Sequence, residues 1–270
     1  MIFALYNPQS GEVVLSLKKK ESVRAVERTA EIFRAFSFER QELSLAELCT
    51  LVDLPKTTIY RILSTLECQN WVVQDSESGK YRLGYELIKL GSIAQAGNSI
   101  QRAAAEDMNQ VTKKTSQTCN LYIRDGFERL CVAQVVGTEY VRRFSYLGAR
   151  YPLYCGAGKL LLAFADKEVR DKYFETVKLE KYTENTVIDK EVLKQELEDI
   201  VRKGYAVTKG ERDEMTAMVS VPIYDYTGKV VASITISGPV YLFSGENVSK
   251  YLNVLKQAAS NISAKLGYEQ

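Results

Sequence analysis

Ser44-Leu45-Ala46-Glu47-Leu48-Cys49-Thr50-Leu51-Val52, then Asp53-Leu54-Pro55, then Lys56-Thr57-Thr58-Ile59-Tyr60-Arg61-Ile62-Leu63-Ser64-Thr65-Leu66, is the stretch from which the fold can be read. Ser44 with Glu47 three residues on is a capping box. The hydroxyl accepts from a free helix N–H and the carboxylate reaches back to the Ser44 N–H. Leu45, Leu48, Cys49 and Val52 follow at helical spacing as one buried stripe. Proline disfavours a helical conformation at Leu54 and is tolerated in the first turn of a new helix. Asp53-Leu54-Pro55 is therefore a sharp break between two helices. The second covers residues 55–69, with Ile59, Ile62, Leu63 and Leu66 on one face and Thr57, Thr58, Tyr60, Arg61, Ser64 and Thr65 on the other.

Outward from this pair, Val23, Val26, Ala30 and Phe33 predict an earlier amphipathic helix over 22–36. Trp71-Val72-Val73 and Lys80-Tyr81-Arg82-Leu83 are β-prone runs flanking the turn Asp75-Ser76-Glu77-Ser78-Gly79. Three helices with a tight turn, then a hairpin, make a winged helix-turn-helix. In that motif the outer face of the third helix enters the major groove of DNA. Thr57, Thr58 and Ser64 are short donors and acceptors for phosphates and base edges. Arg61 suits a bidentate contact with guanine, and Tyr60 a contact with sugar or a thymine methyl. From Leu54 through Leu66 the basic residues are Lys56 and Arg61, and there is no acid. Ser44, at the start of the preceding helix, and Lys80 and Arg82, in the hairpin, complete the expected DNA-contacting set. A lone amphipathic helix ordinarily turns its polar face to water. Capping box, proline turn, acid-free helix and hairpin in this order favour DNA instead.

Bulk composition neither requires nor forbids this reading. The chain has 270 residues, 46% of them hydrophobic, which suits two domains. Thirty-six basic and 34 acidic side chains leave a net charge of +2, so any affinity for nucleic acid must be local. The five cysteines are odd in number and form no C-x-x-C pair, which argues against a disulfide framework or a zinc site. Histidine is absent, which excludes Ser-His-Asp and Cys-His catalysis. No apolar run reaches 18 residues and the N-terminus lacks a secretion pattern. The expectation is a cytoplasmic protein with reduced thiols, no membrane partner, no metal and no cofactor.

Residues 1–20 read as an N-terminal extension, 21–84 as the DNA-binding domain, 85–98 as a linker helix and 99–270 as a second domain. That domain begins with a helix over 99–114. Strands follow at 118–124 and 129–136 around Asp125-Gly126, with a third at 141–147. Helices are expected near 157–165, 167–176 and 189–203, strands at 205–208, 217–224 and 229–237, and a last helix over 246–266. This is an α+β domain on an antiparallel sheet.

The sequence also resembles the IclR family of bacterial transcriptional regulators. The resemblance rests on Leu54-Pro55-Lys56-Thr57-Thr58-Ile59-Tyr60-Arg61-Ile62-Leu63 and Tyr81-Arg82-Leu83-Gly84. It continues through Pro152-Leu153-Tyr154-Cys155-Gly156-Ala157-Gly158-Lys159, Gly204-Tyr205-Ala206-Val207, Val221-Pro222-Ile223-Tyr224-Asp225 and Ile234-Thr235-Ile236-Ser237-Gly238-Pro239. It implies a GAF-like effector-binding domain, a double-stranded DNA operator and assembly as a homodimer or dimer of dimers.

Carried over from family members that sense 2-oxo acids, the resemblance implies a carboxylate held by the backbone of Gly156-Ala157, a sound anion site near a helix start. The family's Asp, Cys and two Ser fall on Thr208, Met218, Thr235 and Ser237, so only Ser237 is unchanged. The segment from Pro152 to Lys159 is also one residue shorter than usual. The pocket wall falls on Tyr140, Arg143 and Tyr151, which suit a carboxylate on a ring or sugar-like body. The expected effector is thus a small organic acid other than glyoxylate or pyruvate. One residue of strand slip would instead turn Arg143 to solvent. An enzyme reading rests on the run Glu211, Asp213 and Glu214, which is ordinarily a solvated loop. Gly156-x-Gly158-Lys159 lacks the first glycine and the hydroxyl of a phosphate-binding loop. A metabolite-binding or enzymatic protein using the second domain without DNA is the remaining alternative.

Overall fold

The computed structural model describes residues 5–6, 13–14, 23–97, 99–138 and 145–269. The chain divides into two compact units, Met1–Ser92 and Ile93–Gln270.

In the first unit, β1 (Leu5–Tyr6) pairs antiparallel with β2 (Val13–Val14). Helix α1 (Arg24–Ala35) leads through β3 (Glu42–Leu43) to α2 (Leu45–Leu51) and α3 (Lys56–Cys68). The hairpin β4 (Val72–Gln74) and β5 (Tyr81–Leu83) follows, and then α4 (Tyr85–Ala96), within which the division between the units falls. Among the described residues β3, β5 and β4 form a three-stranded sheet in that order. Ile32, Leu43, Leu48, Ile59, Leu63, Val72 and Tyr81 make the core. The stripe expected on α1 is displaced by about one turn. Val23 and Val26 are exposed, and Ile32, Ala35 and Phe36 are buried. The C-terminal half makes the packing contacts: Phe33 stacks on Trp71 at 6.1 Å, and Ile32, Ala35 and Phe36 join the core of this unit.

In the second unit, α5 (Ser99–Thr115) precedes β6 (Thr118–Asp125), β7 (Glu128–Val135) and β8 (Arg150–Pro152). Helices α6 (Gly158–Ala163), α7 (Lys167–Thr176) and α8 (Lys190–Lys203) follow. The chain then returns through β9 (Ala206–Lys209), β10 (Thr216–Tyr224) and β11 (Val230–Pro239) to the long helix α9 (Gly245–Lys265). Among the described residues the sheet has six strands, all antiparallel, in the order β8-β7-β6-β11-β10-β9. Alternation explains how it is covered on both sides. Ala217, Val219, Val221 and Ile223 of β10 and Ile234 and Ile236 of β11 pack with α5 and α9. The intervening Met218, Ser220, Thr235 and Ser237 face the other side, where α6 and α8 lie over Tyr122 and Cys131.

The strand expected over 141–147 is a correction. Residues 141–144 lie outside the described residues, and 145–147 are in no strand. The chain instead turns at Gly148, whose φ is +81°, with the Ala149 N–H donating to the Tyr146 carbonyl. The third strand of this edge is Arg150–Pro152. At Gly158 a Cβ would lie 2.5 Å from the Pro152 oxygen and 2.6 Å from the Leu153 Cα, so α6 can seat on that backbone only with glycine there. No described helix is long and apolar enough to cross a membrane.

Candidate functional site

Two places in the molecule can do chemistry of recognition. The first is α3. Ile59, Leu63 and Leu66 are buried, with Ile62 half-buried beside them. Lys56, Thr57, Tyr60 and Arg61 are exposed on the other side, while Thr58 and Ser64 are half-buried at its flanks. The first turn carries no acid. Within the hairpin, Lys80 and Arg82 are half-buried, and the Arg82 guanidinium lies 5.8 Å from the exposed Tyr85 ring.

Ser44 is held differently from these. Its side chain accepts from the Glu47 N–H at 3.2 Å and donates to the Glu47 carboxylate at 2.7 Å, while its own N–H donates to the same carboxylate oxygen. Those bonds keep the Glu47 carboxyl below its ordinary range. The hydroxyl is therefore a helix cap. Ser44→Ala is expected to lower unfolding stability by about 1 kcal/mol, measured by urea denaturation.

The second place is a cavity of about 260 Å³ in the second unit. It lies beside the sheet face that carries Thr208, Met218 and Ser237. Register puts these three in one row: Met218 stands opposite Thr208 on β9 and opposite Ser237 on β11. Gly156, Arg129, Ser145 and Arg212 also line it. Ser237 accepts from the Asn120 amide at 2.9 Å. The Asn120 carbonyl accepts from Gln134 at 2.8 Å, and Gln134 donates also to the Ser145 carbonyl at 2.6 Å. The Tyr122 hydroxyl lies 2.5 Å from the Ser145 hydroxyl, and burial pushes the Tyr122 phenol up to about 12. This continuous polar network holds the wall rigid.

Glu211, on the cavity wall, is paired with the buried Lys159. Lys159 is 2% exposed and its ammonium meets Glu196 at 2.6 Å and Glu211 in a second ion pair. Glu211 also accepts from the Gly156 N–H at 2.7 Å. Burial raises the Glu211 carboxyl above its ordinary value, against the opposing pull of Lys159. The expectation of a solvated acidic loop fails at Glu211, because Thr186 accepts the Tyr182 and Thr183 N–H groups and its hydroxyl donates to the Glu211 carbonyl at 2.5 Å, pinning the loop inward.

The IclR helix-turn-helix domain matches residues 25–76, and the C-terminal domain of bacterial IclR transcriptional regulators matches residues 94–264. The chain belongs to the IclR family. It is a DNA-binding regulator of transcription and not an enzyme. Among relatives of this IclR chain, the HTH-type transcriptional regulator KdgR of Escherichia coli (strain K12) is 33% identical over 252 residues, covering 93% of this chain and 95% of KdgR. The crystal structure of Thermotoga maritima IclR superposes with a TM-score of 0.71 at 33% identity, covering 90% of this chain and 97% of that one. An IclR homologue of Microbacterium hydrocarbonoxydans, solved with 4-hydroxybenzoate, shares the fold with a TM-score of 0.78 at 24% identity, covering 90% and 98%.

Within this IclR chain the cavity gathers Gly156, Thr208, Met218 and Ser237 of the nine effector residues expected from sequence. Ala157 is wholly buried as the residue before α6. Thr235 is wholly buried too, its hydroxyl 2.9 Å from that of Ser220. Tyr151 packs behind the cavity, with Arg129 at 5.0 Å and Arg212 at 4.0 Å from its ring. Tyr140 and Arg143 lie outside the described residues. The Gly156 N–H, expected to meet an effector carboxylate, is instead engaged by Glu211. Sequence reading missed Arg129, Ser145 and Arg212. No local pattern marks Arg129, which is brought there by pairing of β7 with β8.

Proposed function

We propose that this regulator answers to a small organic acid bound in the sensing unit and controls an operon for uptake or breakdown of a related compound in the cytoplasm. On this reading α3 reads the operator through Thr57, Thr58, Tyr60, Arg61 and Ser64. Lys56, Lys80 and Arg82 hold backbone phosphate, and Ser44 acts by capping α2. The observation that carries it is the exposed, acid-free face of α3 opposite a fully buried Ile59 and Leu63. The cavity is slightly smaller than the usual 300–1,000 Å³ of ligand sites, which suits a metabolite. The 4-hydroxybenzoate in the Microbacterium homologue supports an acid as the ligand class.

Residues 21–84 act as the DNA head, 85–98 as the link and 99–270 as the sensor. Two or four copies present paired heads to related half-sites. An acid that prefers one arrangement of the sensors shifts the population of head spacings, and with it operator affinity. A gel shift on DNA upstream of the gene and its neighbours tests this. Binding is expected to weaken with salt, at about −0.9 in log K per log salt for each phosphate contacted. Organic acids, and not their amides, are expected to change the affinity. Failure to retain any of this DNA at low salt would defeat the reading.

A further inference from the structure

We propose that Arg129 is the anchor for the effector's carboxylate. This rests on the cavity being the effector site. Arg129 is 1% exposed, the largest wholly buried side chain of the described residues, and it lines the cavity. Its guanidinium lies between two phenol rings, 5.1 Å from Tyr122 and 5.0 Å from Tyr151. One terminal nitrogen donates to the Cys155 carbonyl at 2.8 Å. The Nε has no partner. Among the described residues no carboxylate forms an ion pair with Arg129.

An arginine cannot shed its proton to escape burial. A buried guanidinium without a counter-charge is costly, so the site is complete only when an anion enters. The two acids on the cavity wall do not serve. Glu211 is committed to Lys159 and Gly156. Asp213 caps its own loop, accepting from the Met215 N–H at 3.0 Å. The backbone N–H of Gly156 is taken by Glu211, so it does not compete with Arg129 for an incoming carboxylate. The guanidinium nonetheless sits directly beside Gly156: a Cβ there would lie 2.9 Å from one terminal nitrogen and 3.4 Å from the other. Glycine at 156, with φ +58°, keeps open the space in which a carboxylate meets the fork. Tyr122 and Tyr151 hold the guanidinium plane, and Thr208 and Ser237 offer hydroxyls to the rest of the ligand. A planar, bidentate cation recognises a carboxylate where a neutral amide gains far less.

The test is direct binding to the full chain without DNA. Pyruvate, succinate, 4-hydroxybenzoate and gluconate are each titrated beside the corresponding amide, by calorimetry and thermal shift. At least one acid is expected to bind wild type and its amide to bind far more weakly. Arg129→Met should weaken that acid by about tenfold or more. It should also unfold at no lower temperature without ligand, since it removes an uncompensated charge. Arg129→Lys, which keeps charge and loses the fork, should recover only part of the binding. Equal binding to wild type and Arg129→Met overturns the proposal, as does an absence of acid-specific binding across the series. An acid that binds through Arg129 yet leaves operator affinity unchanged would keep this site and defeat the regulatory reading instead.

Discussion

Lys159→Met is expected to unfold the sensing unit about 3 kcal/mol more easily at pH 8, and by clearly less near pH 5. The lysine sits in α6 with its side chain 2% exposed and its ammonium paired with Glu196 and Glu211. Glu196 is 41% exposed, so its share of the pair is screened by water and contributes little. Glu211 is 10% exposed, and Lys159 opposes the rise that burial imposes on its carboxyl. Removing one partner of a buried pair costs about 3–5 kcal/mol because the other charge is stranded. The lower figure applies here, since the Gly156 N–H still donates to Glu211.

The pH dependence follows from the direction of the Glu211 shift. Burial already holds its carboxyl above 4.5 in the folded chain. Between that value and the folded one, the folded state binds more protons than the unfolded state. Stability therefore falls as pH rises through the window. Without Lys159 the folded value climbs further and the window widens upward, so the variant suffers most at alkaline pH. Urea melts of wild type and Lys159→Met at pH 5 and pH 8 measure this. Adding Glu211→Gln should return much of the loss at pH 8, a coupling read from the double-mutant cycle. A loss below about 1 kcal/mol that ignores pH would mean that the ammonium is solvated.

The sensor's chemistry was far less legible in the sequence than the DNA head's. Ser44, Glu47, Pro55 and the spacing of Ile59, Leu63 and Leu66 are signals within a single turn or two of chain, so local physics suffices to read them. Even there, α1 packs through Ile32 and Ala35 rather than Val26, because the covering residue Trp71 lies 38 positions beyond Phe33 in a hairpin (71 − 33). The cavity depends wholly on such distant pairings. Thr208, Met218 and Ser237 are neighbours only through the register of β9, β10 and β11. Arg129 looks like an ordinary polar residue after a hairpin turn until β8 lays Tyr151 opposite it. Glu211 looks like part of a solvated run until the Thr186 hydroxyl draws the loop in. Burial of a charge is a tertiary fact, and sequence spacing carries no trace of it.

Arg61→Ala is expected to weaken specific operator binding by about 1–3 kcal/mol, or roughly 5- to 150-fold, with little change in affinity for unrelated DNA. Arg61 is exposed on α3 and forms no ion pair among the described residues, so its removal should leave the unfolding midpoint in place. Its neighbours on that face, one helical turn back and one residue back, are Thr57 and the 54%-exposed Tyr60. A fork of donors standing clear of acids on a helix of this exposure fits the O6 and N7 of guanine. Lys56 provides the contrast. It stands at the first residue of α3, where a point charge suits phosphate. Lys56→Ala should weaken all DNA alike and reduce the salt slope by about one. Arg61→Lys should behave as a phosphate contact does, keeping general affinity and losing discrimination. Titrations of operator and scrambled duplex over a salt series separate the cases. If Arg61→Ala lowers both affinities equally, the residue positions the protein on the backbone. If neither moves, α3 is not the element that enters the groove.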